Sequence, residues 1–273
     1  MPRNITAPRK ADMDLSDKLQ RLKPTGMAAD EWQLRLELAA LYRIFDYLGW
    51  TEMIYNHITV RVPGPDRHYL INPYGLNYDE VTASNLVKVG LDGVAVDGSK
   101  HMVNVAGFVI HSAIHAARDD AHCVIHTHTT AGMAIACKKD GFRFDNFYSA
   151  QLSGRLAFHD FEGITTDVGE QERLVKSLGD KNIMVLRNHG LLVIGSQVPQ
   201  TLSQYWSVQR ACEVQIAADT LAGPNQPVEQ KVIDAIPAQA AFFKSGAGTG
   251  ARSGQLFFDA LLRKAGIRYE ELA

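Results

Sequence analysis

Two histidines set two residues apart in the stretch CVIHTHT, His126 and His128, have the spacing in this chain best suited to chemistry. Cys123, Val124 and Ile125 before them have the small and β-branched character of a buried strand. Alternate side chains of a strand share a face, so the two rings point together, about 7 Å apart along the backbone at roughly 3.3 Å per residue. One metal ion can sit between such a pair, although an ordinary strand ending in two polar residues has the same pattern. A catalytic metal site needs about three protein ligands, at roughly 2.0–2.1 Å for nitrogen, and an open position for water or substrate. His189, in IMVLRNHGLLVIG, offers the third. Asn188-His189-Gly190 breaks two apolar runs, and Asn and Gly tolerate the left-handed backbone of a tight turn, so His189 is expected exposed at a strand end. Imidazole suits Zn, Mn, Fe and Ni alike; the cofactor expected is a divalent metal, Zn, Mn or Fe, with its identity open.

Ten histidines make chance clustering unavoidable, so the others need their plainer readings too. His111 and His115 fall four apart on one helix with Gly107 one turn earlier on the same face, a core or surface stripe by default. His159 and Asp160 in FHDFEG read as an acid/base pair or as a loop histidine bonded to its neighbours. His57 in YNHIT reads as a loop or strand residue, and His68, His101 and His122 lack distinctive context.

The elements that must position these groups alternate between helical and strand periodicity. Leu34, Leu38, Leu41, Phe45 and Leu48 form the stripe of an amphipathic helix from Asp30, ended by Gly49. MIYNHITVRVPG and RHYLINP read as an antiparallel strand pair, and LDG before VAV as a hairpin after a strand reaching Val89. Helices are expected over Val105 to Ala117, Ala131 to Lys138, Glu170 to Leu178 and Val198 to Ala222. One strand is expected near Leu156 to His159 within a long connection. SGAGTGARSG has the look of a glycine-rich phosphate loop but follows no strand, so it is read as a flexible linker before a short helix over Gln255 to Ala265. Residues 1–28 carry six basic against three acidic residues and little apolar periodicity, the pattern of an arm. The expected organisation is an arm (1–28), one domain (29–223) and a linker with a helical extension (224–273).

With 46% hydrophobic and 21% charged residues, the 273-residue chain can bury a sizeable core. A net charge of −2 provides no basic field to recruit nucleic acid or an anionic membrane, which favours a small-molecule partner. The three cysteines, Cys123, Cys137 and Cys212, lie in apolar or alanine-rich surroundings without paired spacing, as buried thiols of a reducing cytosol do. The first ten residues lack an apolar signal region, and no apolar run approaches the ~18 residues of a membrane span, so a cytoplasmic protein is expected.

CVIHTHT followed some sixty residues later by VLRNHGLLVIG resembles the class II aldolase/adducin family, with support from YNHITVR and LINPYGLNYDEVTASNLVKV. The resemblance runs from about Glu31 to Gly223. It implies a three-layer α/β/α domain around a mainly antiparallel central sheet, commonly a homotetramer with sites at subunit interfaces. It also implies a divalent metal on His126, His128 and His189. Asn56, Thr59, Tyr74 and Gly75 fall, by the same matching, in the region that holds the anionic end of the substrate.

One departure narrows the function. Where the family's sugar-phosphate aldolases carry a Ser-Ser-Glu-like segment four residues before a helix histidine, this chain, aligned by His111, reads Val105-Ala106-Gly107. Retro-aldol cleavage needs a base for the hydroxyl proton as well as a Lewis acid. The segment looks instead like the family's adducin-like branch. Two functions follow as expectations. The first is a metal-dependent lyase, acting by decarboxylation or carbon–carbon cleavage on a small oxyacid or oxygenated aromatic acid. In it His111, His159 or Asp160 supplies later protonation. The second is a non-enzymatic, adducin-like interaction module with a vestigial metal site.

Overall fold

The computed structural model describes residues 18–164, 168–244 and 250–273. Among these, seven strands form one sheet: β1 (His57–Arg61), β2 (Tyr69–Ile71), β3 (Val87–Val89), β4 (Cys123–Thr127), β5 (Leu156–His159), β6 (Ile183–Leu186) and β7 (Gly190–Gly195). Their order is β3-β2-β1-β4-β7-β6-β5, and every neighbouring pair is antiparallel except β5 with β6. Around the sheet stand helices α1 (Ala29–Tyr47), α2 (Val105–Ala117), α3 (Thr130–Ala136), α4 (Phe147–Ala150), α5 (Glu170–Leu178), α6 (Val198–Asp219), α7 (Gln230–Lys244) and α8 (Gly250–Ala265), with short 3-10 turns at Tyr78–Glu80 and Tyr269–Glu271.

Strand alternation divides the core into two layers. Cys123 and Ile125 of β4, with Leu191 and Val193 of β7, pack with Trp32, Leu36 and Phe45 of α1, Tyr205 of α6 and Phe258 of α8. Val124, Leu192 and Ile194 point the other way, against Ile110 and Ile114 of α2 and Leu174 and Leu178 of α5. Helices therefore cover both faces of a mainly antiparallel sheet, the α/β/α arrangement expected from the sequence. The apolar stripe of α1 marks only one of its packed sides. Trp32, Leu36, Ala40 and Ile44, off that stripe, are fully buried as well, because the helix touches the sheet, α6, α8 and the turn at Tyr78–Glu80.

Departures from the sequence reading cluster late in the chain. The stretch read as a linker before Gln255 is helical from Gly250 onward, while residues 245–249 lie outside the described residues, as do 1–17 of the arm. Close packing explains this glycine-rich helical start: a Cβ on Gly254 would come within 3.1 Å of the Gln200 backbone on α6. The helix α7, with Pro237 inside it, had no counterpart in the sequence reading. Phe258, Leu261, Leu262 and Leu272 belong to the main core, so the C-terminal segment docks on this domain. Of the thiols, Cys123 and Cys212 are buried, but Cys137 is exposed beyond the last turn of α3. No helix among the described residues is long and apolar enough to cross a membrane.

Phe258 is 0% exposed on α8. Phe258→Ala is expected to lower stability by about 3–5 kcal/mol in urea denaturation. A change under ~0.5 kcal/mol would mean that α8 is an appendage and not part of the core.

Candidate metal centre

The site forms on the three central strands. β4 lies between β1 and β7, and its register places His126 opposite His57 on one side and Leu192 on the other. His126 and His128 face the α2 layer, whereas Thr127 and Thr129 between and after them face α6. Thr127 Oγ1 bonds the Tyr205 hydroxyl, and Thr129 Oγ1 donates to Gln209 Oε1 at 2.7 Å while accepting from the Gly132 N–H at 3.2 Å. The threonines of HTHT thus fix the strand end to α6 and cap α3, and the histidines are left for the other side.

His189 arrives from the β6–β7 turn. Asn188 adopts φ 56°, and its N–H reaches the Ala136 carbonyl at 3.0 Å. Gly190 is required by proximity: a Cβ there would lie 2.3 Å from the Thr127 carbonyl oxygen and 3.2 Å from the His128 ring. The motif Asn-His-Gly therefore supplies a left-handed residue, a candidate ligand and a bare backbone, in that order.

Ligand atoms of His126, His128 and His189 all lie within 4.8 Å of one another. Nε2 of His126 is 2.9 Å from Nε2 of His128, and each of their rings is centred 4.8–4.9 Å from that of His189. His126 Nδ1 lies 3.0 Å from the Leu191 carbonyl oxygen, which can only accept, so Nδ1 carries the proton and Nε2 the lone pair. Two nitrogens so close, one of them a lone pair, call for a proton or cation between them. Their separation lies within the span of two ~2.1 Å bonds to one ion. The donor set thus fits a divalent metal.

The surroundings keep these imidazoles uncharged. Burial, with the neighbouring rings adding, holds His126 well below the ordinary histidine range and His189 at about 4. Burial also lowers His128, partly offset by Glu52. Neutral imidazole is the form that binds metal.

A cavity of about 450 Å³ opens at the trio, in the size range of small-molecule sites. Glu52, Tyr55, Tyr74, Asn104, Ile110, Phe161 and Ile164 line it together with His57, His126, His128 and His189. A larger cavity of about 540 Å³ near Arg155 and Ser207 is lined by no histidine, cysteine or carboxylate.

Of the residues expected near the anionic end of a substrate, Tyr74 lines the cavity, and Asn56 is buried with Oδ1 accepting from the His128 N–H at 3.1 Å. Thr59 does not reach the cavity; its hydroxyl lies between His111 Nδ1 (2.6 Å) and His115 Nε2 (2.8 Å). Gly75 is exposed at φ 101° and is not among the lining residues. His111 is fully buried behind His57, with their ring nitrogens 2.9 Å apart, so it contacts the site only through that ring. His159 lies beneath His189, with Nδ1 3.0 Å from Ser177 Oγ and Nε2 3.4 Å from the buried Glu170. Asp160 points to solvent, its side chain 89% exposed and paired with Arg187 at 3.1 Å. The sequence reading passed over His57, Glu52 and Tyr55. For His57 a signal was present: it shares a strand face with Thr59, facing a helix with histidines four apart.

Residues 36–216 match the family model described as the class II aldolase and adducin N-terminal domain, and the chain belongs to that family. Among solved structures, the chain is similar to an aldolase II superfamily protein from Pseudomonas syringae, at 45% identity and TM-score 0.80, covering 88% of this chain and 94% of that one. It is also similar to L-fuculose 1-phosphate aldolase from Glaciozyma antarctica, at 29% identity and TM-score 0.73, covering 93% and 98%. Alpha-adducin of Rattus norvegicus is 43% identical over 241 residues, which span 84% of this chain but 32% of the adducin.

The depressed histidines tie stability to pH. In the unfolded chain each titrates near 6.5; in the fold, His57 and His115 fall to about 3 and His189 to about 4. Between those values the unfolded state binds more protons, so their contribution is complete above about pH 6.5 and is lost as pH falls toward 4. The urea midpoint of metal-free protein is expected to be highest near pH 7 and to drop steadily toward pH 4. A midpoint flat across that range would show that the rings are charged in the fold.

Proposed function

We propose that this protein is a divalent-metal-dependent lyase acting on a small oxyacid or oxygenated aromatic acid, by decarboxylation or carbon–carbon cleavage. The observation that carries this reading is the convergence of His126, His128 and His189 on one point at the floor of a cavity. Zn, Mn or Fe bound there would act as a Lewis acid on a substrate carbonyl or carboxylate. The likeness to L-fuculose 1-phosphate aldolase supports the lyase class.

The chain's own residues support the choice of substrate. Tyr74 and Asn104 bring polar side chains to the same lining as His128, suited to substrate oxygens. Ile110, Phe161 and Ile164 give the cavity an apolar wall for a compact or aromatic body. Gly107 provides no side-chain carboxylate, which separates this site from sugar-phosphate aldol cleavage. Decarboxylation needs no base in its bond-breaking step, only a later proton. Glu52, the carboxylate among the lining residues, stands at the mouth to deliver it, with the buried His159 beneath His189 as the other source. Exposed Tyr55, Phe161 and Ile164 ring the opening, and this apolar rim suits contact between copies in a homo-oligomer, a tetramer by family resemblance.

The identity with alpha-adducin favours a second reading, an interaction module whose metal site is vestigial. Metal analysis after gentle purification, and again after offering Zn, Mn and Fe, separates the two. The lyase reading expects about one ion per chain, and at least ~100-fold weaker binding in His126→Ala and His189→Ala. It is abandoned if the wild type holds none of these metals under any loading condition. Turnover of any hydroxy or aromatic acid that disappears in His189→Ala excludes the module.

A further inference from the structure

Behind the trio runs a buried polar chain that the metal reading leaves unused. His57 Nδ1 lies 2.9 Å from His111 Nε2, His111 Nδ1 2.6 Å from Thr59 Oγ1, Thr59 Oγ1 2.8 Å from His115 Nε2, and His115 Nδ1 3.0 Å from the Ala121 carbonyl oxygen. All four side chains are at most 3% exposed, and none of these contacts involves a carboxylate. Uncompensated charge is costly in such a place, so the rings are neutral, each with one N–H and one lone pair.

The carbonyl end then sets the direction of every bond. Ala121 oxygen can only accept, so His115 Nδ1 donates and His115 Nε2 is the lone pair. The Thr59 hydroxyl must therefore donate to His115. Its single proton is committed, so it accepts from His111 Nδ1. His111 Nε2 is then a lone pair and accepts from His57 Nδ1. What remains is His57 Nε2, without a proton and without a hydrogen-bond partner among the described residues, on a ring that lines the cavity.

Gly107 is what admits this ring. A Cβ there would lie 2.7 Å from Cδ2, 2.9 Å from Cγ and 3.0 Å from Nε2 of His57. Any side chain at position 107 would displace the imidazole from the cavity wall.

We propose that His57 is a substrate-binding residue whose Nε2 is held by the His111–Thr59–His115 relay as a fixed hydrogen-bond acceptor for a substrate hydroxyl. Resting on the reading of the histidine trio as a metal centre, this narrows the ligand to an acid that also bears a hydroxyl. His111, Thr59 and His115 are positioning residues, acting through His57.

Two measurements on the full chain test the assignment. The first is ¹⁵N NMR of histidine-labelled, metal-free protein, which reads tautomers without metal or turnover. His57, His111 and His115 are expected as Nδ1–H tautomers in the wild type and in Thr59→Ser. In Thr59→Val the broken relay frees His57 to carry its proton on Nε2. A protonated His57 Nε2 in the wild type, or a His57 signal unmoved by Thr59→Val, overturns the relay. The second measurement is calorimetric binding of glycolate and of acetate to zinc-loaded protein. His57→Phe is expected to weaken glycolate about 10-fold, the size of one hydrogen bond, and acetate less than twofold. Equal loss for both probes, or no glycolate binding to the zinc-loaded wild type, overturns the hydroxyl assignment. Failure of the wild type to take up zinc is seen separately by elemental analysis and counts against the metal reading, while the NMR result stands by itself.

Discussion

The antiparallel pairing of β4 with β1 and β7 is the constraint on which the site depends. With its ladder hydrogen bonds made on both edges, β4 cannot slip, because a one-residue shift would exchange its two faces and send His126 toward α6. The same pairing sets His57 directly across from His126 and brings the start of β7 alongside Thr127. Gly190 is the close-approach residue of that pairing, and the turn preceding it delivers His189. Geometry at the cavity is thus inherited from the centre of the sheet, the part of a fold least free to move.

Burial shapes the chemistry of the site as much as position does. His57, His111, His115 and His126 are nearly inaccessible to solvent, and burial is the leading cause of the lowered proton affinity of each. Neutral rings have directional hydrogen bonds, so a single carbonyl at one end can orient a whole series. Leu191 does this for His126, and Ala121 does it for His115. Both carbonyls leave a lone pair on the far nitrogen, in one case toward His128 and in the other, by way of the relay, toward the cavity.

Glycines perform a matching task. Gly107, Gly190 and Gly254 each stand where a Cβ would strike a neighbouring ring or backbone, so each marks a close approach between elements. Gly107 admits the ring of His57, Gly190 lets β7 meet β4, and Gly254 lets α8 lie on α6. Position 107 has no side chain, and in the fold that space belongs to an imidazole from another strand.

The sequence by itself determined the apolar and β-branched runs of the central strands and the histidine trio, because these rest on local composition and spacing and on a turn motif whose residue types have few other uses, while the layered fold was legible through the resemblance to the family. His126 and His128 share a face by strand geometry alone, and Asn188 and Gly190 announce a turn. The tertiary structure alone decided what surrounds them. Whether Thr59 faces a substrate or a pair of helix histidines, whether α8 docks on the core, and whether His57 stands opposite His126 all depend on contacts between residues 50 or more positions apart. Sequence spacing carries no record of such distances, since register between strands and the approach of helices to a sheet are settled only when all the layers pack at once.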